Sequence, residues 1–393
     1  MSRPGPGLNF FTSVGDHYGA GVAGKGFALA LAARLDLRLA LTRPLARNVV
    51  SPVGDPREWE ILHALSQKPP DPAFPSFVRG APMAQRWLCP AEWPRRGTPA
   101  LEERGLFVAH VFFEFEELFP DEVDFLQEAD VVTSGSRWAQ GILEAHGLPA
   151  ATVYQGVDLS VFHPEESERP AEFSGRFVVF SGGKYGYRKG WDLVIAAFAR
   201  FVRRRPEALL MGNAWNPWPV TRTGLAHSPH FSFSPVERYP DDMARILVDN
   251  GIPRKNFLLL QPSSRRELAR AMRLADCGLF PIRAEGGTNH FLMELMACGK
   301  PVIATYTTGL VDILEPDENC LALKELRPVA PNIVGPEPDR GRWHEPTVEE
   351  IVAALETLCE SEDTRSKLAR GGLETIADFA WDRCAEKLLQ VVG

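Results

Sequence analysis

The chain has 393 residues, of which 45% are hydrophobic and 24% charged, and its formal net charge is −8 at pH 7. This length and composition predict a soluble globular protein of two domains, because single hydrophobic cores rarely grow beyond about 250–300 residues. The acidic balance and the lack of a long basic run argue against nucleic acid as a partner. No apolar run approaches the roughly 20 residues that span a bilayer, and the first residues lack the apolar core of a secretory signal.

The six cysteines show neither a C-x-x-C pair nor the spacing of metal ligands. Reduced thiols in a cytoplasmic protein are therefore expected, since structural disulfides belong mainly to secreted proteins. The six are Cys89, Cys277, Cys298, Cys320, Cys359 and Cys384.

The first part of the chain alternates strand-like and helix-like segments, which is typical of a parallel sheet covered by helices. Strands are predicted at 8–14, 37–42, 105–113, 129–135 and 151–157, and helices at 27–35 and 136–147. Residues 51–100 interrupt the alternation with many prolines and with Trp59, Trp87 and Trp93. An irregular excursion with one short helix at 57–65 is expected there, and long loops of this kind are often functional.

After a polar, proline-containing linker at 158–175 the alternation restarts. The chain then ends in helical segments at 347–361 and 364–392. Strands are predicted at 176–182, 207–213, 256–261, 277–282 and 301–305, with helices at 191–204, 241–251, 264–275 and 290–299.

Two similar halves predict an α/β protein with two Rossmann-like, doubly wound domains that face each other across a cleft. We place the N-terminal domain at 1–168 and the C-terminal domain at 169–377, with the last helix, about 378–393, packing back on the first domain. Ligands of such sheets bind at the carboxyl ends of the strands, so the cleft is the expected site of chemistry.

The stretch GDHYGAGVAGKGF, which begins at Gly15, predicts a glycine-rich turn between a strand and a helix. Gly19, Gly21 and Gly24 spell G-x-G-x-x-G, but the second strand does not end in the acidic residue that a dinucleotide site needs. Gly24 and Lys25 almost complete a phosphate loop, but Gly26 replaces its hydroxyl residue. Small residues at a helix start still let backbone N–H groups approach an anion, and a tight turn without a ligand is the alternative.

Two segments of the second half carry candidate binding residues. In SGGKYGYRKGWD, Gly182 and Gly183 lie at the end of a strand, and Arg188 and Lys189 precede a helix. Fixed cations at this place could bind a diphosphate. The alternative is an exposed basic turn without a ligand. In PIRAEGGTNHFLMELMACGKPVIAT, a carboxylate follows a strand and a Gly-Gly-Thr turn offers N–H donors. Glu294 then lies early on a helix, where a carboxylate can accept both hydroxyls of a ribose.

These segments resemble the GT-B-fold retaining glycosyltransferases of family 4 (glycosyltransferase group 1). YQGVDLSVFHP resembles the family's NGVD…F.P junction, RKGWDLVIAAF its KG.D.LI.AF segment, and EGGTNHFLMELMACGKPVIAT its E…E…MA.G.PVIA signature. The resemblance covers the whole chain and is strongest from about 107 to 308. One departure is that eight residues, rather than the usual seven, separate Glu285 from Glu294.

The resemblance implies transfer of a sugar from a UDP- or GDP-linked donor to a hydroxyl of a saccharide or another acceptor, with retention of configuration. It implies no metal and no cofactor. Glu285, Arg188, Lys189 and His110 are the candidate catalytic residues. The candidate donor-binding residues are Gly21, Gly24, Gly182, Gly183, Arg188, Lys189, Glu285, Gly286, Gly287, Thr288, Asn289 and Glu294.

Several features are left open at this point. His110 and His290 could be functional or simply satisfied structural residues, and Glu114 and Glu116 could lie on the acceptor side. Residues 213–240 could be a flap, a partner contact or a plug. The first 170 residues are the more acidic part of the chain, so a soluble or polar acceptor is favoured over one at an anionic membrane.

Other functions on the same fold remain as alternatives. A sugar-nucleotide epimerase would shuttle protons with cleft carboxylates and His, and a phosphorylase would need a pyridoxal-phosphate lysine in a longer chain. A non-catalytic nucleotide-sugar-binding protein would not need an intact Arg-Lys and Glu-Glu set.

Overall fold

The computed structural model describes residues 7–41, 53–80, 105–165, 169–216, 224–331 and 340–392. Cys89, Trp87 and Trp93 lie outside the described residues. The chain divides into two compact units. Unit 1 comprises Met1–Asp158, Gly286–His290 and Phe379–Gly393, and unit 2 comprises Leu159–Glu285 and Phe291–Asp378.

Unit 1 is built on a parallel six-stranded sheet with the order β2-β1-β3-β4-β5-β6. Its strands are β1 (Gly7–Thr12), β2 (Asp36–Leu41), β3 (Ser76–Gly80), β4 (Phe107–Val111), β5 (Val131–Ser134) and β6 (Ala150–Thr152). Its helices in the described residues are α1 (Gly19–Ala32), α2 (Pro56–Ser66), α3 (Pro120–Leu126), α4 (Arg137–Ala145) and α11 (Trp381–Val392).

Alternate residues of the strands in unit 1 feed two hydrophobic clusters, as expected for a sheet with helices on both faces. Phe10 and Phe77 belong to the cluster that also contains α1 and α11, whereas Phe11 and Val78 belong to the cluster that contains α3 and α4. The last helix of the chain therefore completes the core of unit 1.

Strand β3 corrects the sequence analysis, which treats residues 51–100 as irregular apart from one helix. The helix is present as α2, but Ser76–Gly80 is also a central strand, paired with both β1 and β4. The strand has only five residues, follows Pro75 and contains Arg79. The strand therefore lacks the apolar run by which the other strands were predicted, although its first four residues are all buried.

The predicted glycine-rich turn is also wrong, because α1 begins at Gly19 and Gly21 and Gly24 lie inside it. A Cβ added at Gly24 would lie 2.0 Å from the carbonyl oxygen of Ser13. A Cβ at Gly26 would lie 2.1 Å from the ring of Trp381. These glycines are explained by the close approach of α1 to the end of β1 and to α11, rather than by a loop conformation.

Unit 2 repeats the architecture with the strand order β12-β11-β10-β7-β8-β9, again parallel. Its strands are β7 (Val178–Gly182), β8 (Leu209–Asn213), β9 (Phe257–Leu259), β10 (Cys277–Phe280), β11 (Val302–Thr305) and β12 (Cys320–Leu323). Its helices in the described residues are α5 (Trp191–Arg204), α6 (Asp241–Asp249), α7 (Arg265–Arg273), α8 (His290–Ala297), α9 (Val348–Glu360) and α10 (Glu362–Ile376).

Three strands after Thr305 were not predicted. They are β12 and an antiparallel hairpin of β13 (Leu326–Val329) and β14 (Trp343–Pro346). Each has four residues, and the hairpin strands carry proline and charges, so they lack the apolar alternation of a recognisable strand. The helical segment predicted at 364–392 contains α10 and α11, which a short turn at Ala377–Phe379 separates, and α11 corresponds to the last helix predicted at about 378–393.

The described cysteines, five of the six, are free thiols. Among the described residues no helix combines the length and the apolar character needed to cross a bilayer.

Candidate functional site

The candidate site of unit 2 lies where the paired strands β7 and β10 end. Because the strands are parallel neighbours, the segments that follow them run side by side. The backbone N–H of Arg283 donates to the carbonyl of Arg188 at 2.9 Å, which joins the two segments directly.

The structure brings three predicted catalytic residues together at this junction. Arg188 Nη1 donates to the carbonyl of Ala284 at 2.8 Å and lies 3.5 Å from Glu285 Oε1. Lys189 Nζ forms an ion pair with the other oxygen, Oε2. All three side chains keep between 11% and 22% of their surface exposed, so the cluster is tightly paired yet accessible.

Gly190 fixes the turn that presents the two cations. It has φ +70° and follows the single 3-10 turn Tyr187–Lys189. A Cβ at this position would lie 2.0 Å from the carbonyl oxygen of Pro281. Both the positive φ and the close approach therefore require glycine at this position. Gly190 allows the Arg188–Lys189 turn to pack directly against the segment that follows β10.

Gly182, the last residue of β7, and Gly183, which follows it, have different structural roles. A Cβ at Gly182 would lie 2.6 Å from the ring of Phe291, so this glycine lets α8 pack against the strand end. Gly183 has φ +142°. Its N–H donates to the carbonyl of Asn213 at 3.0 Å, and its carbonyl accepts from Trp191 Nε1 at 2.9 Å. The amide of Gly183, predicted to bind the donor, is therefore already bonded in this structure.

Glu285 is held at its backbone as well as at its carboxylate. Its N–H donates to Thr308 Oγ1 at 2.9 Å, and its carbonyl accepts from the N–H of Gly309 at 3.0 Å. The side chain at the strand end is thus fixed from two neighbouring segments of unit 2, which is the preorganisation that a binding carboxylate needs.

Glu294, the predicted ribose ligand, lies on α8 with a side chain that is 3% exposed, and it forms an ion pair with Arg265. Arg265 is the first residue of α7, which Ser264 and Glu267 cap reciprocally. Its guanidinium carbon also lies 4.8 Å from the centroid of the Phe162 ring. Arg265 is not among the predicted site residues, because nothing in SRRELARA distinguishes it from the surface arginines of the same helix.

The Gly-Gly pair after Glu285 packs within unit 1. Ser136 Oγ donates to the carbonyl of Gly286 at 3.0 Å. A Cβ at Gly286 would lie 2.2 Å from the carbonyl oxygen of Phe113, and one at Gly287 would lie 2.9 Å from the ring of Phe112. These glycines are therefore required by close backbone packing, whatever ligand their amides meet.

The rest of this turn is also buried in unit 1. Thr288 is fully buried and Asn289 adopts φ +59° before α8 begins. The ring of His290 lies 5.9 Å from the ring of Trp381. The turn residues and the cluster around Glu285 are thus assigned to different compact units, although they are adjacent in the chain.

His110 is the fourth residue of β4 and has no exposed surface. Its Nδ1 lies 3.0 Å from Thr133 Oγ1, and its ring is in contact with the rings of Phe77 and Phe112. Burial and the nearby charge of Arg79 hold the pKa of His110 well below its usual value, so the imidazole is neutral near pH 7. His110 belongs to unit 1 and the Arg188–Lys189–Glu285 cluster to unit 2, and the catalytic role of His110 stays a prediction.

A second charged network, which was not predicted from the sequence, is centred on Arg283 and holds the turn that carries Arg188 and Lys189. Arg283 is fully buried and donates to both carboxylate oxygens of Asp192, at 2.8 and 2.6 Å. Its Nε donates to Glu345 of the hairpin at 2.8 Å. Its guanidinium carbon lies 3.6 Å from the centroid of the Tyr187 ring. The network ties the turn of Arg188 to α5 and β14.

The described residues of the segment 213–240 pack on unit 2. Ser228 Oγ donates to Asp192 at 2.5 Å, and His230 Nε2 lies 3.0 Å from Glu345. Tyr239 donates its hydroxyl to the carbonyl of Leu260 at 2.7 Å. These contacts anchor the segment to the same buried charges that hold Arg283.

Comparison with known proteins bears on both the site and the fold. Residues 175–331, which include the whole Arg188–Lys189–Glu285 cluster, match the family model described as Glycosyl transferases group 1. The structure is similar to sucrose-phosphate synthase from Thermosynechococcus elongatus over 98% of both chains, with a TM-score of 0.67 and 16% identity. It is also similar to Anabaena HepE in complex with UDP-glucose over 98% of this chain and 99% of that one, with a TM-score of 0.61 and 14% identity.

The chain has the GT-B fold. This confirms the predicted fold class of two α/β units with parallel sheets. The family match concerns residues 175–331, and the structural neighbours show the fold alone.

Similarity in sequence covers a smaller share of the relatives. D-inositol 3-phosphate glycosyltransferase of Stackebrandtia nassauensis is 26% identical over 242 residues, which are 61% of this chain and 47% of that protein. Spore coat protein SA of Bacillus subtilis is 19% identical over 253 residues, which are 61% of this chain and 57% of that protein. The chain therefore spans about half the length of the curated relatives it matches.

Proposed function

We propose that the protein is a retaining glycosyltransferase that moves a sugar from a UDP- or GDP-linked donor to a hydroxyl of a saccharide or another acceptor. The observation that carries the proposal is the cluster of Arg188, Lys189 and Glu285 at the carboxyl ends of two paired strands. Ligands of open α/β sheets bind at this edge. The match of residues 175–331 to a glycosyltransferase family supports the same conclusion.

Charge is the energetic problem of the reaction. The bond between the anomeric carbon and the diphosphate breaks, a bond to the acceptor oxygen forms, and the acceptor proton passes to the departing phosphate. Arg188 and Lys189 stabilise the negative charge that develops on the diphosphate, and the loss of one such contact typically costs roughly 10²–10³ in rate. The proposal requires neither a metal nor a cofactor.

The remaining predicted residues complete the proposed donor site. Glu285 accepts hydrogen bonds from sugar hydroxyls, and Glu294 binds the ribose while the ion pair with Arg265 orients its carboxylate. His110 serves the transferred sugar as a neutral imidazole. The other proposed donor contacts are Gly21, Gly24, Gly182, Gly183, Gly286, Gly287, Thr288 and Asn289.

The activity is tested by incubating the whole protein with radiolabelled UDP- and GDP-sugars and a panel of saccharides. Transfer or slow donor hydrolysis is expected with one nucleotide series, and the anomeric configuration of the product, determined by NMR, is expected to match that of the donor. Inversion would contradict the retaining mechanism. Epimerised donor would favour the epimerase, and binding without turnover would favour the non-catalytic alternative.

Two variants test the proposed roles of Arg188, Lys189 and Glu294. The double variant Arg188→Met, Lys189→Met is expected to lower kcat more than it raises the KM of the donor, because its charges act mainly on the leaving group. Glu294→Gln is expected to weaken binding of the free nucleoside diphosphate in calorimetry, because an ionised acceptor is lost. Arg254→Met removes an exposed arginine of unit 2 and serves as the control with unchanged kinetics.

A further inference from the structure

Thr308 of unit 2 has a backbone conformation that its side chain disfavours. It lies shortly after β11 and adopts φ +48°, in the left-handed region. Asn289 and Asp317 are the other described non-glycine residues with positive φ. Asn and Asp visit this region comparatively often, whereas a β-branched residue there is a genuine outlier. Glycine would adopt the same conformation without the steric cost, so what the threonine adds at this position is its hydroxyl.

The hydroxyl of Thr308 has a specific partner in the candidate site. Its Oγ1 accepts the backbone N–H of Glu285 at 2.9 Å, and the next residue, Gly309, donates its own N–H to the carbonyl of Glu285 at 3.0 Å. The turn that begins at Thr308 therefore closes on both backbone polar groups of Glu285. Because Glu285 keeps only 8% of its surface exposed, its N–H would be poorly hydrated without this acceptor, which is unfavourable.

The strand order puts Glu285 between two anchors. β10, which leads to Glu285, lies between β7 and β11 in the sheet of unit 2. The segment after β7 supplies Arg188 and Lys189, which pair with the carboxylate of Glu285. The segment after β11 supplies the Thr308 hydroxyl, which holds the backbone of the same residue. The position of the carboxylate therefore depends on the bond from Thr308 as well as on the two cations.

We propose that Thr308 is a positioning residue, whose backbone strain is offset by the bond that holds Glu285 where it reads the hydroxyls of the transferred sugar. Strained residues persist where the surrounding structure determines them, and they cluster at functional sites. The inference rests on the proposed function, in which Glu285 bonds to that sugar. Groups of a functional site must be held within about 0.5 Å of the productive geometry. Release of the Glu285 backbone therefore lowers turnover of the nucleotide sugar and leaves binding of the free nucleoside diphosphate unchanged.

Three substitutions separate the hydroxyl of Thr308 from the strain. Thr308→Val keeps the branched side chain and the strain but removes the acceptor, Thr308→Gly removes both, and Thr308→Ser keeps the hydroxyl. We expect kcat/KM for the nucleotide sugar to fall at least about tenfold in Thr308→Val and Thr308→Gly, and less than about threefold in Thr308→Ser, because small misplacements at a reacting centre are costly. The melting temperature should be higher for Thr308→Gly than for Thr308→Val, because only the latter retains the strain.

The pattern across these variants distinguishes positioning from a general loss of structure. Activity that follows the melting temperature rather than the hydroxyl would make Thr308 a structural residue and overturn the inference. Free UDP or GDP should bind all three variants like the parent in calorimetry, and a tenfold loss in Thr308→Val would assign Thr308 to the nucleotide and also overturn it. Asp317→Gly is the matched control, because it removes an exposed side chain of unit 2 that also has a positive φ. Its kinetics should equal those of the parent.

Hydrogen exchange of the Glu285 amide, measured on the whole chain by mass spectrometry with residue-level fragmentation, tests the anchor without a substrate. Exchange should be at least about tenfold faster in Thr308→Val and Thr308→Gly than in the parent and Thr308→Ser, because the hydroxyl acceptor is lost. Equal protection in the parent and Thr308→Val would overturn the inference. Should Thr308→Val not fold, Thr308→Gly, which lacks the strain, makes the same comparison.

Failure of the proposed function gives a different result from failure of the anchor. A parent protein that binds and turns over no nucleotide sugar would contradict the glycosyltransferase and the sugar-reading role, whereas the difference in exchange of the Glu285 amide would still be seen. A parent that transfers sugar at a rate which Thr308→Val and Thr308→Gly leave unchanged would preserve the proposed function and overturn the role of Thr308.

Discussion

Arg79 of unit 1 and Arg283 of unit 2 are both buried arginines near the carboxyl edge of a parallel six-stranded sheet, but their partners differ. Arg283 bonds to two carboxylates, Asp192 and Glu345, and their charges raise its pKa above the ordinary value in spite of its burial. Arg79 bonds to one backbone carbonyl and a ring face, and burial lowers its pKa. The same side chain in the same part of a repeated architecture is therefore paired with carboxylates in one unit, whereas no carboxylate of the described residues pairs with it in the other.

The comparison shows that the described residues compensate one buried charge with carboxylates and the other with a backbone carbonyl and a ring. Asp192 and Glu345 fix Arg283 to α5 and β14, so this arginine stabilises the turn that presents Arg188. Among the described residues, the guanidinium of Arg79 contacts only the carbonyl of Ala20 and the ring of Phe112. Substitutions at the two positions should therefore differ in sign or size, and the following predictions run from the largest expected effect to the smallest.

Arg283→Met should be the most damaging of these changes. It leaves the carboxylates of Asp192 and Glu345 buried without their main cation, and breaking a buried pair from one side typically costs about 3–5 kcal/mol. Hydrogen exchange of amides in α5, measured on the whole chain, should report this loss for unit 2. Arg200→Met, which removes an exposed ion pair with Glu349, should change the exchange free energy by less than about 0.5 kcal/mol. A loss below about 1 kcal/mol for Arg283→Met would show that the network is not a scaffold.

Glu345 should make the stability of unit 2 sensitive to acid. Burial alone would raise the pKa of this carboxyl, but the hydrogen bond from His230 and the charge and hydrogen bonds of Arg283 and Arg327 lower it to about 2, from 4.5. Its contribution is complete above about pH 5 and is lost as the pH falls toward 2, on the order of 3 kcal/mol in total. Glu345→Gln should flatten the dependence of the free energy of unfolding on pH in this window.

The control for this acid effect is Glu360→Gln, which alters an exposed ion pair with Arg205. Its dependence of stability on pH between 5 and 2 should match that of the parent. An unchanged slope in Glu345→Gln would mean that the pKa of Glu345 is the same in the folded and unfolded states. The lowered pKa of this carboxyl in the buried network would then be wrong.

Gly24→Ala tests the packing of the helix that covers Arg79. The new Cβ would lie 2.0 Å from the carbonyl oxygen of Ser13, so α1 would have to move away from the end of β1. Overpacking of this kind typically costs about 1–3 kcal/mol. Gly141→Ala is the matched control, because Gly141 also lies inside a helix, α4, but has no atom within 4 Å of the added Cβ. It should stabilise the chain by about 0.4–1 kcal/mol in thermal unfolding, and equal effects of both changes would contradict the packing role of Gly24.

The difference between the two arginines also marks how far sequence reasoning could go. Alternating apolar runs predicted most of the long elements and two α/β domains, and the resemblance to family 4 implied the GT-B fold. The motifs marked Arg188, Lys189 and Glu285 as candidate site residues, which the structure brings together. These inferences depend on local pattern and on strand order, both of which the sequence carries directly.

The features that were missed depend on contacts distant in sequence. Arg283 finds its carboxylates 91 and 62 residues away, and Arg265 finds Glu294 29 residues away. No local pattern distinguishes these arginines from exposed ones. Gly24 and Gly26 were predicted as loop residues because glycine marks both turns and close helix contacts, and only the positions of Ser13 and Trp381 decide between the two.

Arg79→Met should have the smallest effect on stability, and this result would separate the two arginines most sharply. The substitution removes a charge that burial disfavours, leaves no carboxylate of the described residues unpaired, and fills a similar volume beside Phe112 with apolar atoms. Replacing a poorly compensated buried charge by a hydrophobic residue is commonly neutral or stabilising. We therefore expect the free energy of unfolding to change by less than about 1 kcal/mol. Hydrogen exchange of amides in β3 and β4 measures it, and a loss as large as that of Arg283→Met would mean that Arg79 is scaffold too.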